Sequence, residues 1–174
     1  MCLSLVYLLM DNTVRAFMHR LRHFALLAIF ALASSLYVAA KDLAVVVNKA
    51  NDTKALTTAD LAKVLKNVTK KWPNGQDIII VMKDPNAPAM RVVLQKLFGM
   101  TAEQVKSLVS SANQGRPNPA FVIADSDDVA LKMIASNAGA VGMVDVYAIN
   151  SSVNVVKVDG KMPLEPGYLL HGVW

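Results

Sequence analysis

Cysteine and histidine are almost absent from this sequence, and their scarcity excludes several kinds of chemistry. The 174 residues include one cysteine, Cys2, and three histidines, of which His171 alone follows residue 40. The chain beyond residue 40 therefore forms no disulfide within itself and has no thiol chemistry or cysteine metal site. We expect His171 to lie in a mobile C-terminal tail, where it supports neither a histidine base nor a metal site. No pair of nucleophile and base stands out, so we expect a non-enzymatic protein with no metal and no cofactor.

Aromatic residues are also few, at 6%, and the charge is nearly balanced once the N-terminus is set aside. Three of the 18 Lys and Arg and one of the 13 Asp and Glu precede residue 41, which leaves 15 against 12 and a net charge of +3. Lys63, Lys66, Lys70 and Lys71 fall near a predicted helix and its exit, with no aromatic residues interleaved. We interpret them as a solvated face and expect no nucleic-acid partner.

The first forty residues are typical of a secretory signal peptide. Arg15, Arg20 and Arg22 give a basic patch, and residues 24–40 are uncharged and end in small side chains. We expect this signal to span residues 1–40, with Met18 as the true start and cleavage near Ala40, which places the domain of residues 41–174 in the periplasm. The alternative is an uncleaved anchor, although about 17 apolar residues are at the short limit for crossing a bilayer.

Beyond residue 40 the hydrophobic patterns alternate between strands and helices, which predicts an α/β fold. Residues 43–48 and 78–82 are apolar runs suited to strands buried on both faces. Between them Leu61, Val64 and Leu65 recur at helical spacing behind a start signal at residues 57–60. A strand, a helix and a strand in this order predict a right-handed parallel crossover.

The later patterns continue the same alternation. We predict a helix with Pro88 in its first turn that ends at Gly99, and a helix behind a capping box at Thr101 and Gln104. A loop over residues 114–119 and a helix that starts at Ser126 follow. The last predicted features are strands at residues 140–145 and 153–158 and a tight turn at Asp159 and Gly160.

Six segments in this order resemble the substrate-binding subunits of phosphate ABC transporters, which are periplasmic binding proteins. The segments are residues 44–49, 56–61, 70–75, 83–98, 115–119 and 138–144. The resemblance implies a single lobe of a periplasmic-binding-protein-like fold, mostly a parallel sheet flanked by helices. It corresponds to the second lobe of those proteins, because the segment like residues 43–49 crosses from their first lobe into their second.

The resemblance also implies where an anion would bind. Those proteins hold phosphate with a Ser-Gly-Thr turn at a helix start and a nearby arginine. When the sequences are aligned on Arg91, the turn corresponds to Pro88, Ala89 and Met90, so two hydroxyl donors and one backbone donor are missing. The remaining candidates for binding phosphate or another small oxyanion are Lys83, Asn86, Ala87, Ala89, Met90 and Arg91. The alternative is that Arg91 is an ordinary surface residue and Pro88 a helix initiator.

Two other features have a structural and a functional interpretation. Asp125, Asp127 and Asp128 form either a cation site or, as we favour, the capped start of a helix. Trp72 either anchors a loop on the core or serves as an exposed interface residue.

Two functions follow from these observations. One is a solute-binding module with weak oxyanion affinity that completes its site with a second copy or a membrane protein. The other is a periplasmic protein-interaction module that has lost its ligand and acts as an adaptor for a transporter, porin or sensor, with an apolar patch for the partner.

Overall fold

The computed structural model describes residues 40–173, so the predicted signal peptide up to residue 39 and the start at Met18 lie outside the described residues. The strands are β1 (Lys41–Asn48), β2 (Ala55–Leu56), β3 (Ile79–Met82), β4 (Phe121–Ile123), β5 (Ala140–Asp145), β6 (Val153–Val158) and β7 (His171–Gly172). The helices are α1 (Thr58–Leu65), α2 (Met90–Val93), which continues as a π-helical turn (Leu94–Phe98), α3 (Ala102–Asn113), α4 (Asp127–Ser136) and a 3₁₀ turn (Val146–Ala148).

The strands form a sheet in the order β2-β6-β1-β5-β3-β4, and β7 pairs with the start of β1. The pairs β2 with β6, β3 with β4 and β3 with β5 are parallel, whereas β1 is antiparallel to β5, β6 and β7. All strands except β1 therefore share one direction, and the predicted mostly parallel α/β sheet is confirmed.

The predicted parallel crossover between the first two strands is wrong. β5 lies between β1 and β3, and β1 runs against both of them. The apolar run of β1 correctly indicates burial on both faces, with seven of its eight residues buried. A continuous apolar run carries no information about direction or neighbours, which depend on strands more than 90 residues further along the chain.

Helices cover both faces of the sheet. On one face Leu43, Val45 and Val47 of β1 pack in a cluster with residues of α1, α2 and α3. On the other face Ala44 and Val46 pack against α4. This alternation is the two-residue period of a strand, and it gives a sheet flanked by helices, as the resemblance implied.

The predicted helix starts are confirmed because each depends on local hydrogen bonds. The Thr57 side chain accepts a hydrogen bond from the Asp60 N–H, and Ser126 accepts one from the Val129 N–H. Thr101 and Gln104 form the predicted capping box. Gly99, with φ of 59°, ends the π-helical turn as predicted. Pro88 differs from its prediction, since it lies in the turn before the helix, which begins at Met90.

The C-terminal segment differs from the mobile tail that we predicted. His171 belongs to β7, and its ring nitrogen Nδ1 contacts the carboxylate of the buried Asp42. Tyr168 and Leu170 are buried, and the Leu43 N–H donates to the Leu170 carbonyl. The strands β2 and β7 have two residues each and β4 has three, which is too short for a recognisable pattern, so none of them was predicted. Among residues 40–173, no helix combines the length and the apolar character needed to cross a bilayer.

Candidate functional site

The carboxyl ends of β3, β4 and β5 meet at one edge of the sheet, because these neighbouring strands are parallel. Ligands of open α/β sheets bind outside the carboxyl ends of the strands. The candidate residues from Lys83 to Arg91 follow β3 directly, so the structure brings them to this carboxyl edge.

Lys83 is engaged by a carboxylate. Its Nζ lies 2.7 Å from Oδ2 of Asp127 in the first turn of α4, and the two side chains are 18% and 21% exposed. The second oxygen, Oδ1 of Asp127, accepts a hydrogen bond of 3.2 Å from the Asp145 N–H. The pair thus ties the ends of β3 and β5 to the start of α4, and the Lys83 charge is neutralised.

Three of the candidate backbone donors make hydrogen bonds within their own turn. The Asn86 N–H donates to Oδ1 of Asp84 at 2.7 Å, and the Ala87 N–H donates to the Asp84 carbonyl at 2.8 Å. The Met90 N–H donates to the Ala87 carbonyl at 2.9 Å. An anion at this turn would have to replace these bonds.

Ala89 and Arg91 differ from the other candidates. The Ala89 N–H has no hydrogen-bond acceptor among residues 40–173, but Ala89 is buried. The Arg91 side chain is exposed and has no carboxylate within 4.0 Å in the same part of the chain.

The carboxyl edge carries more acidic than basic residues. Its carboxylates are Asp84, Asp125, Asp127, Asp128 and Asp145. Lys41 contacts Asp145 at 3.4 Å, and Lys106 contacts Asp84 at 3.7 Å. In residues 40–173 no three acidic, histidine or cysteine side chains are grouped as metal ligands. The excess of negatively charged side chains disfavours the binding of an anion at this edge.

Large apolar side chains are exposed at several separate places: Val68, Ile123, Tyr147, Leu164 and Val173. Tyr147 follows β5 and Ile123 ends β4 at the carboxyl edge, and β3 lies between these two parallel strands. Two exposed apolar side chains, 76% and 39% exposed, thus lie at this edge. The expected apolar patch for a partner stays a prediction.

Trp72 anchors its loop on the core, as one of its two interpretations predicted. The side chain is 5% exposed, and its Nε1 donates a hydrogen bond of 2.8 Å to the Gly139 carbonyl. An added Cβ on Gly139 would lie 2.0 Å from the Asp77 carbonyl oxygen, so only glycine allows the two chain segments to approach this closely.

The amino ends of the same strands meet at the opposite edge and form a basic cleft of about 490 Å³. The cleft is lined by Lys70, Lys71, Asp77, Ile78, Ile79, Arg116, Pro117, Asn118, Pro119, Ala120 and Asn137. Nζ of Lys71 lies 2.7 Å from Oδ1 of Asp77, and this hydrogen bond, with a smaller contribution from Arg116, lowers the pKa of Asp77. Lys70 and Arg116 have no carboxylate within 4.0 Å in the described part of the chain.

Sequence reasoning missed this cleft. Lys70 and Lys71 were interpreted as part of a solvated face, and Arg116 as part of a loop. They meet because β3 and β4 are parallel neighbours, so the segments before the two strands lie side by side. The available indication was that basic residues precede two apolar runs, but the second run, β4, has three residues and was not recognised.

No protein-family model and no curated protein matches this chain. Solved structures do match it. An ABC-type phosphate transport receptor from Vibrio cholerae aligns with a TM-score of 0.61 at 18% identity, over 78% of this chain and 55% of the receptor. PstS from Borrelia burgdorferi aligns with a TM-score of 0.60 at 15% identity, over 78% and 56% of the two chains. This chain shares the fold of phosphate-binding transport proteins.

A phosphate-binding protein from Stenotrophomonas maltophilia gives the same result, with a TM-score of 0.54 and 18% identity over 72% of this chain and 41% of that protein. The chain thus spans about half the length of the phosphate-binding proteins that it matches. The resemblance noted in the sequence is confirmed at the level of the fold.

Proposed function

We propose that residues 41–174 form an exported, periplasmic protein-interaction module with the fold of the second lobe of a phosphate-binding protein. The module is non-enzymatic and binds another protein, such as a transporter, porin or sensor, in place of phosphate. The observation that carries this proposal is the contact between Lys83 and Asp127, because it occupies one of the two candidate cations of the expected anion site.

The energetics of the carboxyl edge support loss of phosphate binding. Each missing hydrogen bond to a charged oxygen weakens binding by about 1.5–3 kcal/mol. Pro88 and Met90 supply no hydroxyl, and the Asn86 and Met90 N–H groups already have acceptors. Before Lys83 could contact an anion, it would have to leave the half-buried Asp127 without its cation, which is costly.

Weak oxyanion binding is the second candidate, favoured by the exposed Arg91 and by the fold shared with phosphate-binding proteins. In this case a second copy or a membrane protein would complete the site from the opposite side. A ligand held by Arg91 and the Ala89 N–H alone would bind weakly.

Calorimetric titration with phosphate, and with sulfate for comparison, separates the two candidates. Protein produced from the full-length chain is titrated at low ionic strength with millimolar ligand. We expect no saturable heat. Saturable binding that Arg91→Ala weakens, while the matched change Lys132→Ala on α4 leaves it intact, would overturn the proposal and establish oxyanion binding.

N-terminal sequencing of the protein recovered from a secreting host tests the export. We expect the mature chain to begin at Lys41. A chain that retains residue 18 or earlier residues would show that the segment is not removed.

A further inference from the structure

We propose that the basic cleft binds an acidic peptide segment of the partner protein. This inference rests on the proposed interaction function and names the chemistry of its partner. It assigns recognition to the amino edge of the sheet, opposite the edge at which the resemblance places an anion.

The charges of the cleft carry the first step. Lys70, Lys71 and Arg116 face one carboxylate, Asp77, whose charge is matched by Lys71 at 2.7 Å. Lys70 and Arg116 are exposed and have no carboxylate within 4.0 Å among residues 40–173. Cations without a neighbouring carboxylate strengthen the electrostatic field inside a concave site and attract anions. The arginine adds the planar fork that pairs with a carboxylate through two hydrogen bonds.

The size and lining of the cleft favour a peptide over a single small anion. The cleft has a volume of about 490 Å³. Pockets of about 300–1,000 Å³ hold ligands much larger than a single inorganic phosphate. Pro117 and Pro119 give exposed apolar surface beside the cations. A chain of several residues can cover this surface while its carboxylates reach Lys70 and Arg116.

Two amides provide contacts for the peptide backbone. The Asn118 side chain is exposed and makes no hydrogen bond with the described residues. The Asn137 side chain uses its Nδ2 to donate to the Met133 carbonyl at 2.8 Å, and its Oδ1 accepts no hydrogen bond from the same part of the chain. These groups offer donors and an acceptor next to the cations, as an extended peptide requires.

The test uses fluorescence anisotropy with a labelled oligoglutamate peptide, and an oligoglutamine peptide of equal length as the neutral control. The protein is produced from the full-length chain and studied at low ionic strength. We expect saturable binding of oligoglutamate and none of oligoglutamine. The double variant Lys70→Gln with Arg116→Gln is expected to weaken binding by at least about tenfold, and added salt should weaken it further.

A matched double variant separates the cleft from net charge. Lys132→Gln with Lys157→Gln removes the same charge from two exposed residues that lie outside the cleft lining, and we expect less than about a twofold change in affinity. Equal weakening by both double variants would overturn the inference, because net charge alone would then explain the binding. Displacement of the peptide by equimolar inorganic phosphate would also overturn it.

Failure of this inference is distinguishable from failure of the proposed function. No binding of oligoglutamate, with phosphate and sulfate titrations also silent, rejects the basic cleft as a docking site and leaves the interaction module in place. Saturable phosphate binding that depends on Arg91 instead rejects the proposed function.

Discussion

At the scale of single residues, the chain compensates its charges through contacts between distant segments. Lys83 was a reasonable ligand candidate from sequence, because a lysine after a buried strand meets the expected position of the anion. Its partner Asp127 lies 44 residues away, at the start of a helix whose own start could be predicted. The position of each residue along its element was thus predictable, but the contact between them was not.

Lys83→Met tests this pair while retaining most of the side-chain stem. The change leaves Asp127 without its cation at 21% side-chain exposure, so we expect the free energy of unfolding to fall by about 1–3 kcal/mol. Urea denaturation measures the change. Lys63→Met is the control, because Lys63 pairs with Asp60 at 57% and 53% side-chain exposure, and we expect less than about 0.5 kcal/mol there. Equal effects would show that the Lys83 pair contributes no more than a surface contact.

At the scale of secondary-structure elements, local chemistry predicted helix starts well and strand pairing poorly. Thr57, Thr101 and Ser126 were all recognised, since a cap and the N–H that donates to it lie within four residues. The direction of β1 and the short strand β4 were not predicted, because pairing is decided by segments far apart in sequence. The start of α1 has a contact of each kind, since Thr57 caps it locally and a residue in the turn after β6 provides a second cap.

Asp159, in that turn, supplies the second cap and predicts a pH dependence. Its Oδ1 accepts a hydrogen bond of 2.8 Å from the Thr58 N–H, and its Oδ2 contacts the Thr58 hydroxyl. The hydroxyl first, and then the N–H, lower the pKa of Asp159 below its ordinary 3.8. The stabilisation is therefore fully present above this ordinary value and is lost as the pH falls through the lowered pKa.

Two substitutions separate the charge of Asp159 from its hydrogen bonds. Asp159→Ala removes the acceptor, and we expect a loss of about 1 kcal/mol at neutral pH. Asp159→Asn keeps an acceptor and suits the positive φ of 49°. We therefore expect a smaller loss than for Asp159→Ala and a shallower decline of stability with acid than in the wild type. Thermal unfolding at several acidic pH values measures the slopes. Identical slopes for wild type and Asp159→Asn would contradict the assignment.

At the scale of the whole molecule, the order of the motifs predicted the fold. The residues that meet at each edge of the sheet could be identified only from the structure. Six weak segments in the correct order were sufficient to indicate the phosphate-binding-protein fold, and the aligned structures confirm it. The basic cleft and the packed C-terminal segment depend on which strands are neighbours. Periodicity within one segment contains no such information.

The C-terminal segment is expected to contribute strongly to stability. Leu170 is 0% exposed within the large core cluster, so we expect Leu170→Ala to lower the free energy of unfolding by about 2–5 kcal/mol. Val173→Ala, three residues later at 56% exposure, should cost less than about 0.5 kcal/mol. Chemical denaturation of the two variants measures both values. A negligible effect of Leu170→Ala would indicate that the segment is detached in solution.

The reversed strand β1 also has a consequence for how the chain folds. Its partners β5, β6 and β7 all lie beyond residue 139, although β1 begins at residue 41. Loop closure over such separations is costly and slows folding. β1 therefore cannot pair until residues beyond 139 have been synthesised. A growing chain that has not yet reached β5 remains without its central strand pair.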